Sequence, residues 1–131
     1  MSSQNLDVLR AGIAAINRAD IDAALAFAAE DVVLIPQRAA TEGAYHGHAG
    51  VRAWFADTAE TFELFRWNVS ELCDLGDRVV VIGKIQIRAR GSGIETDITS
   101  AGIATFREGK LVRWEDFGEM ERALEAAGVS A

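Results

Sequence analysis

The chain has 131 residues, half of them hydrophobic, which is enough for one compact domain with a real core and too little for two. A net charge of −7 without any Lys/Arg cluster argues against a nucleic-acid partner, because binding a phosphate backbone needs a basic face. One cysteine, Cys73, cannot form an internal disulfide; with no signal-peptide pattern and no apolar run of membrane-spanning length, the expectation is a soluble cytoplasmic protein without a membrane partner.

Leu6, Leu9, Ile13 and Ile16 recur at spacings of three and four, which predicts an amphipathic helix from about Leu6 to Arg18. Asp20 is placed to cap a second helix whose Ile21, Ala24, Leu25 and Ala28 share a face, and Glu30-Asp31 stops it. Val32 to Pro36 is a short strand, with Pro36 forcing it to an edge or out of the sheet. Gln37 to Gly47 is polar and contains glycine, and it reads as a loop that borders a site, with Tyr45, His46 and, just beyond, His48.

From about Ala49, the spacing of Val51, Phe55, Thr58 and Phe62, flanked by Trp54 and Phe65, predicts a third helix with an aromatic face. Trp67 to Leu75 alternates as a strand and leads through Gly76-Asp77 into a three-strand antiparallel meander. Its strands are Val79 to Ala89, Ile94 to Phe106 and Leu111 to Phe117, turned at Gly91-Ser92-Gly93 and at Glu108-Gly109. Glu119 to Ala127 is a short helix with Met120 and Leu124 inward and Gly128 at its C-terminus. Gly91-Ser92-Gly93 has no following helix and lacks phosphate-loop spacing.

This order gives an α+β fold, with helices on one face of a mainly antiparallel sheet that curls into a cone. The segments Asn17-Arg18-Ala19-Asp20, Tyr45-His46-Gly47-His48-Ala49-Gly50-Val51, Gly76-Asp77-Arg78-Val79-Val80-Val81, Arg90-Gly91-Ser92-Gly93, Gly109-Lys110-Leu111-Val112-Arg113-Trp114-Glu115 and Ala123-Leu124-Glu125-Ala126-Ala127-Gly128 carry a resemblance that spans nearly the whole chain. Together they resemble the bacterial SnoaL-like proteins of the nuclear transport factor 2 superfamily. The resemblance implies a single domain over 1–131, a cystatin-like α+β roll with N-terminal helices on the concave face of the sheet. It also implies a cone-shaped pocket for a small apolar molecule. The superfamily includes polyketide cyclases, ketosteroid isomerases, limonene-epoxide hydrolases and non-catalytic binders, so its chemistry is left open.

Asp116 is the first catalytic candidate. Val112, Trp114 and Asp116 alternate onto one face, so a buried Trp114 directs Asp116 into the same cavity, where an apolar surround would raise its pKa and suit proton transfer. The other reading is a solvated aspartate at a strand end. By resemblance, Asp116 falls on the position of an acidic catalytic residue of limonene-epoxide hydrolases, whose arginine and aspartate on the neighbouring strand align with Lys84 and Gln86. Ketosteroid isomerases pair an aspartate base with a tyrosine and a protonated aspartate, and the helix position where relatives carry tyrosine is Ile13 here. Lys84, Gln86 and Arg88 form either a polar wall for a ligand or the solvated face of their strand.

His46 is a candidate acid or base at the pocket mouth, and Tyr45 a hydrogen-bond donor to a ligand or an anchor for the loop. His46 and His48 lack a third ligand at fixed spacing, so no metal is expected. Trp54, Phe55, Phe62, Phe65, Trp67, Trp114 and Phe117 are candidates for the pocket floor or for the core, and Cys73 is structural. The functional expectation is acid–base chemistry without a cofactor, an isomerase, cyclase, lyase or hydratase/hydrolase acting on an apolar cyclic, terpenoid-like or polyketide-like compound. The alternative is a non-catalytic ligand-binding or dimerisation module. A homodimer through the outer sheet face is also expected, because Val79 to Ala89 is apolar on both faces and the helices cover one.

Overall fold

A computed structural model describes residues 2–36 and 43–129. In chain order the elements are α1 (Ser2–Asn17), α2 (Ile21–Ala26), β1 (Ala28–Ile35), β2 (Tyr45–His46), α3 (Gly47–Thr61), β3 (Phe62–Asp74), β4 (Arg78–Ala89), β5 (Glu95–Arg107), β6 (Lys110–Asp116) and α4 (Met120–Ala126). Six strands form one curved, open sheet in the order β2-β1-β6-β5-β4-β3. Only β1 and β6 run parallel; every other neighbouring pair is antiparallel.

The meander is β4-β5-β6, as the alternation predicts. Its second turn is held to two residues, Glu108 and Gly109, both at positive φ (52° and 77°), the geometry whose twist matches that of the flanking strands. β4 lies between β3 and β5, and its Val79, Val80 and Val81 are all fully buried, so both of its faces are covered at this end. Burial of each such side chain contributes about 1.5–3 kcal/mol.

On the inner face Val79 and Val81 pack with Leu9 of α1 and with Ala104 and Phe106 of β5. Leu25 of α2, Val32 of β1, and Val51 and Phe55 of α3 form a second cluster. On the outer face Val80, Ala101 and Ile103 pack under Ala123 and Ala127 of α4.

That last contact removes the basis of the expected homodimer. The outer face of β4 is not left bare, since α4 covers its apolar end, and the rest carries Lys84, Gln86 and Arg88. Met120 was expected inward and is 44% exposed, because the small residues Ala123 and Ala127 give α4 its close approach to the sheet. Past the helix end, Gly128 sits at φ 79° with its N–H on Glu125 O, and the Val129 N–H reaches Leu124 O, a paired C-terminal cap built as the sequence suggests.

Asp20 caps α2, its carboxylate accepting the Ala23 N–H at 3.1 Å. Three boundaries differ from the sequence expectation. Glu30 and Asp31 do not end a helix but lie exposed within β1, with Asp31 paired to Arg107 of β5 at 2.8 Å. Phe62 and Phe65 are on β3 rather than on the third helix, since α3 stops at Thr61 and the chain turns straight into the sheet. In the expected Gln37 to Gly47 loop, residues 37–42 lie outside the described residues, and Tyr45-His46 forms the short strand β2 on the edge of β1.

Candidate functional site

Under α1, α2 and α3 the inner face of the sheet encloses a cavity of about 200 Å³. The helices contribute aliphatic walls, including Leu9, Ile13 and Ile16 from the apolar stripe of α1. Aromatic side chains supply much of the remainder. Trp54 of α3 meets Phe55 and Phe65 edge-on at 5.2 and 5.5 Å, and Trp67 meets Trp114 at 5.0 Å between ring centroids. Such offset edge contacts are the favoured arrangement of ring quadrupoles and fix the walls in place.

Asp116 at the end of β6 is the one titratable side chain in this wall among the described residues. Its facing follows from the strand period, and Trp114 two residues earlier lines the same cavity, as expected. Val112 does not join them. The β5–β6 pairing steps from Thr105–Arg113 to Phe106–Leu111, so Val112 is the extra residue of a bulge and Leu111 turns to the cavity in its place.

The Asp116 carboxylate is half-buried, and burial pushes its pKa above the ordinary aspartate value. Backbone N–H groups of Gly118 and Ala101 pull the other way without reversing this; the first donates to Oδ1 at 2.8 Å. The carboxyl group is therefore oriented by its own turn and is a better proton acceptor than a solvated aspartate.

Trp54, Phe55 and Trp114 line the cavity as the sequence suggests. Lys84, Gln86 and Arg88 do not. On β4 the odd-numbered residues face inward, with Ile85 in the cavity wall, and the even-numbered set shares the outer face with Val80. There Arg88 pairs with Glu95 and Glu63, and Gln86 stands opposite Asp97 in the register. These three residues form the solvated-face alternative, because the helices cover the side of β4 that carries no charge.

His46 is exposed, precedes α3 and makes no capping hydrogen bond with its side chain. Tyr45 is turned to α3, its hydroxyl donating to Asp57 at 2.7 Å, which is the loop-anchoring alternative. His48 Nε2 lies 3.0 Å from Ala28 O. None of the three is in the cavity wall. Among the described residues no three His, Cys, Asp or Glu side chains come together as metal ligands, and no helix is long and apolar enough to cross a membrane.

Two wall residues escaped the sequence reading in their polar role. Ser100 of β5 is 1% exposed, and the indole nitrogen of Trp67 is screened from solvent. The sequence signal for Ser100 was its parity with Ala104 and Phe106, which places it inward on β5.

Solved structures share this architecture across almost their whole length. TerC, co-crystallised with polyporic acid, superposes with a TM-score of 0.79 at 25% identity, covering 93% of this chain and 98% of that one. An NTF2-like protein of unknown function from Burkholderia pseudomallei gives 0.80 at 24% identity, covering 93% and 95%. A protein with a ketosteroid isomerase-like fold from Catenulispora acidiphila, in complex with trimethylamine, gives 0.75 at 17% identity, covering 94% and 93%. No curated protein sequence matches the chain. The SnoaL-like domain matches residues 9–114, from the first helix into the last strand, and the chain belongs to that family.

Proposed function

We propose that this SnoaL-like protein binds a neutral, largely apolar ring compound in the cavity beneath its helices and moves a proton on it, with Asp116 as the acid–base group. The observation that carries this is a lone carboxyl group, its pKa raised by burial, in a wall otherwise built from aliphatic and aromatic side chains. An engineered apolar cavity of about 150 Å³ takes a benzene ring, so about 200 Å³ suits one or two rings. The co-crystal of TerC with polyporic acid supports a small-molecule role. The reaction class is isomerisation, cyclisation or elimination by proton transfer, and the residues present carry it without a cofactor. A cytoplasmic location belongs to the same proposal, resting on the single free Cys73. A homodimer through the outer sheet face does not, because α4 occupies the apolar part of that face.

A non-catalytic binder is the second reading, favoured by the absence of another titratable group in the described cavity wall to work against Asp116. Screening cyclic enones and related ring compounds for turnover and for binding, on wild type and Asp116→Asn, separates the two. Turnover lost in Asp116→Asn with binding retained supports the enzyme. Binding equal in both proteins with no turnover in either supports the binder.

A further inference from the structure

Ser100 Oγ and Trp67 Nε1 are the only buried side-chain polar atoms without a hydrogen-bond partner among the described residues, and both residues line the cavity. Native structures leave few buried donors unpaired, since each forfeits its hydration without replacement. The fold does not require a hydroxyl at residue 100. Ala101, Gly102 and Ala104 follow on the same strand, and alanine would fit β5 at no cost in volume. A tryptophan at residue 67 likewise packs through its ring, which the indole N–H does nothing to improve.

Ser100 lines the cavity. Across the β4–β5 ladder it faces Gly83, where the backbone of β3 fills the place of a side chain, with Asn68 O 2.2 Å from where a β-carbon would stand. Gly102, the next inward residue of β5, faces Asp116 on β6. Ser100 thus lies on the same face as Asp116, one strand over and two residues along, about 7–8 Å away by the spacing of diagonal neighbours. The Trp67 indole reaches toward the same region and meets Trp114, which lies over Gly102.

We propose that Ser100 and Trp67 form a hydrogen-bonding subsite for one oxygen of the ligand, and that both groups are unpaired here because the ligand completes them. An indole N–H only donates, whereas a serine hydroxyl donates or accepts. The group that satisfies both is an acceptor oxygen, and a carbonyl has the two lone pairs required. An ammonium or other pure donor leaves Trp67 unpaired. The subsite therefore selects a neutral one- or two-ring compound bearing a carbonyl, with that oxygen at Ser100 and the adjoining carbon atoms toward Asp116. This deepens the small-molecule reading above and rests on it.

The test uses 1-tetralone and tetralin, which share a two-ring skeleton and differ by one carbonyl. Affinities for wild type, Ser100→Ala and Trp67→Phe are measured by ligand-observed NMR. Each variant is expected to lower the tetralone-to-tetralin affinity ratio about threefold to tenfold, the worth of one hydrogen bond, with tetralin reporting whatever the altered wall does to both compounds. Without ligand, Ser100→Ala is expected to melt no lower than wild type, because it deletes an unpaired hydroxyl. Ser100→Cys replaces it if the alanine variant does not fold.

Both compounds bound at an unchanged ratio in the variants would overturn the subsite and leave the cavity reading standing. A ratio that falls in only one variant overturns the two-donor arrangement; if Trp67→Phe is the silent one, its N–H is already satisfied by the face of a neighbouring ring. A Ser100→Ala protein that melts several degrees low means that the hydroxyl has a protein partner, which also overturns the proposal. Neither compound binding folded wild type would sink the subsite and the small-molecule reading together.

Discussion

The indole of Trp114 lies over Gly102, with its Cη2 2.6 Å from where a β-carbon on that glycine would stand. The carbonyl oxygen of Glu115 is 2.5 Å from the same point, and a backbone atom in a paired strand cannot swing aside. A glycine in the interior of a strand usually weakens it; here it admits a ring that closes one side of the cavity. Gly102→Ala is expected to cost roughly 1–3 kcal/mol and to change the tryptophan emission, as overpacking displaces the indole. Urea denaturation monitored by fluorescence checks both, and wild-type values for the two together would show that Trp114 does not lie there.

Removing the ring itself acts in the opposite sense. Trp114→Ala enlarges a cavity that already exists and breaks the edge contact with Trp67. The expected loss is about 3 kcal/mol, at the low end for a large aromatic because Trp114 is only partly buried. A melting temperature equal to wild type would place the side chain in solvent and undo the facing of Asp116 with it.

The sequence made the meander readable because two features agreed: a period of two in Val79 to Ala89 and glycine at both turns. Asp116 was legible for the same reason, as a residue two positions from an aromatic that had to be buried. The faces of β4 were less so. A period of two fixes which residues share a face but not which face the helices cover, although the wholly apolar set Val79, Val81, Ile85 and Ile87 was the better inward choice. The α3–β3 junction was hidden because Phe62 and Phe65 continue the helical spacing of Val51 and Phe55, while a register shift between Phe62 and Leu64 breaks the alternation that would mark the start of β3. The parity of Ser100 marks only its inward facing; that Ser100 and Trp67 hold unpaired donors has no pattern signal, since an unpaired donor is a property of the surroundings.

The outer placement of Lys84 and Gln86 gives a direct check. Lys84→Ala and Gln86→Ala are expected to leave ligand affinity unchanged and to shift stability by no more than about 0.5 kcal/mol, as surface substitutions do. A loss of binding by either variant, measured with any compound that occupies the cavity, would mean that β4 presents its other face to the helices.

The charge on Asp116 makes the stability of the protein depend on pH. Burial raises its folded pKa above the unfolded value of about 3.9, so the native state holds the proton more tightly than the unfolded chain does. The sign follows from linkage: the stability penalty is absent below the unfolded pKa, grows as pH rises from there toward the folded pKa, and is fully present above it. Asp116→Asn removes the ionisation while keeping an oxygen able to accept the Gly118 N–H, so it deletes the penalty and retains the turn. The variant should therefore gain stability relative to wild type as pH rises from about 4, with a plateau once pH passes the folded pKa. Chemical denaturation of both proteins across this range reads the difference directly. A constant difference between the two proteins at every pH would place the carboxylate in solvent, whereas a difference that moves against the variant as pH rises would mean that the backbone N–H groups outweigh burial and that Asp116 is held ionised.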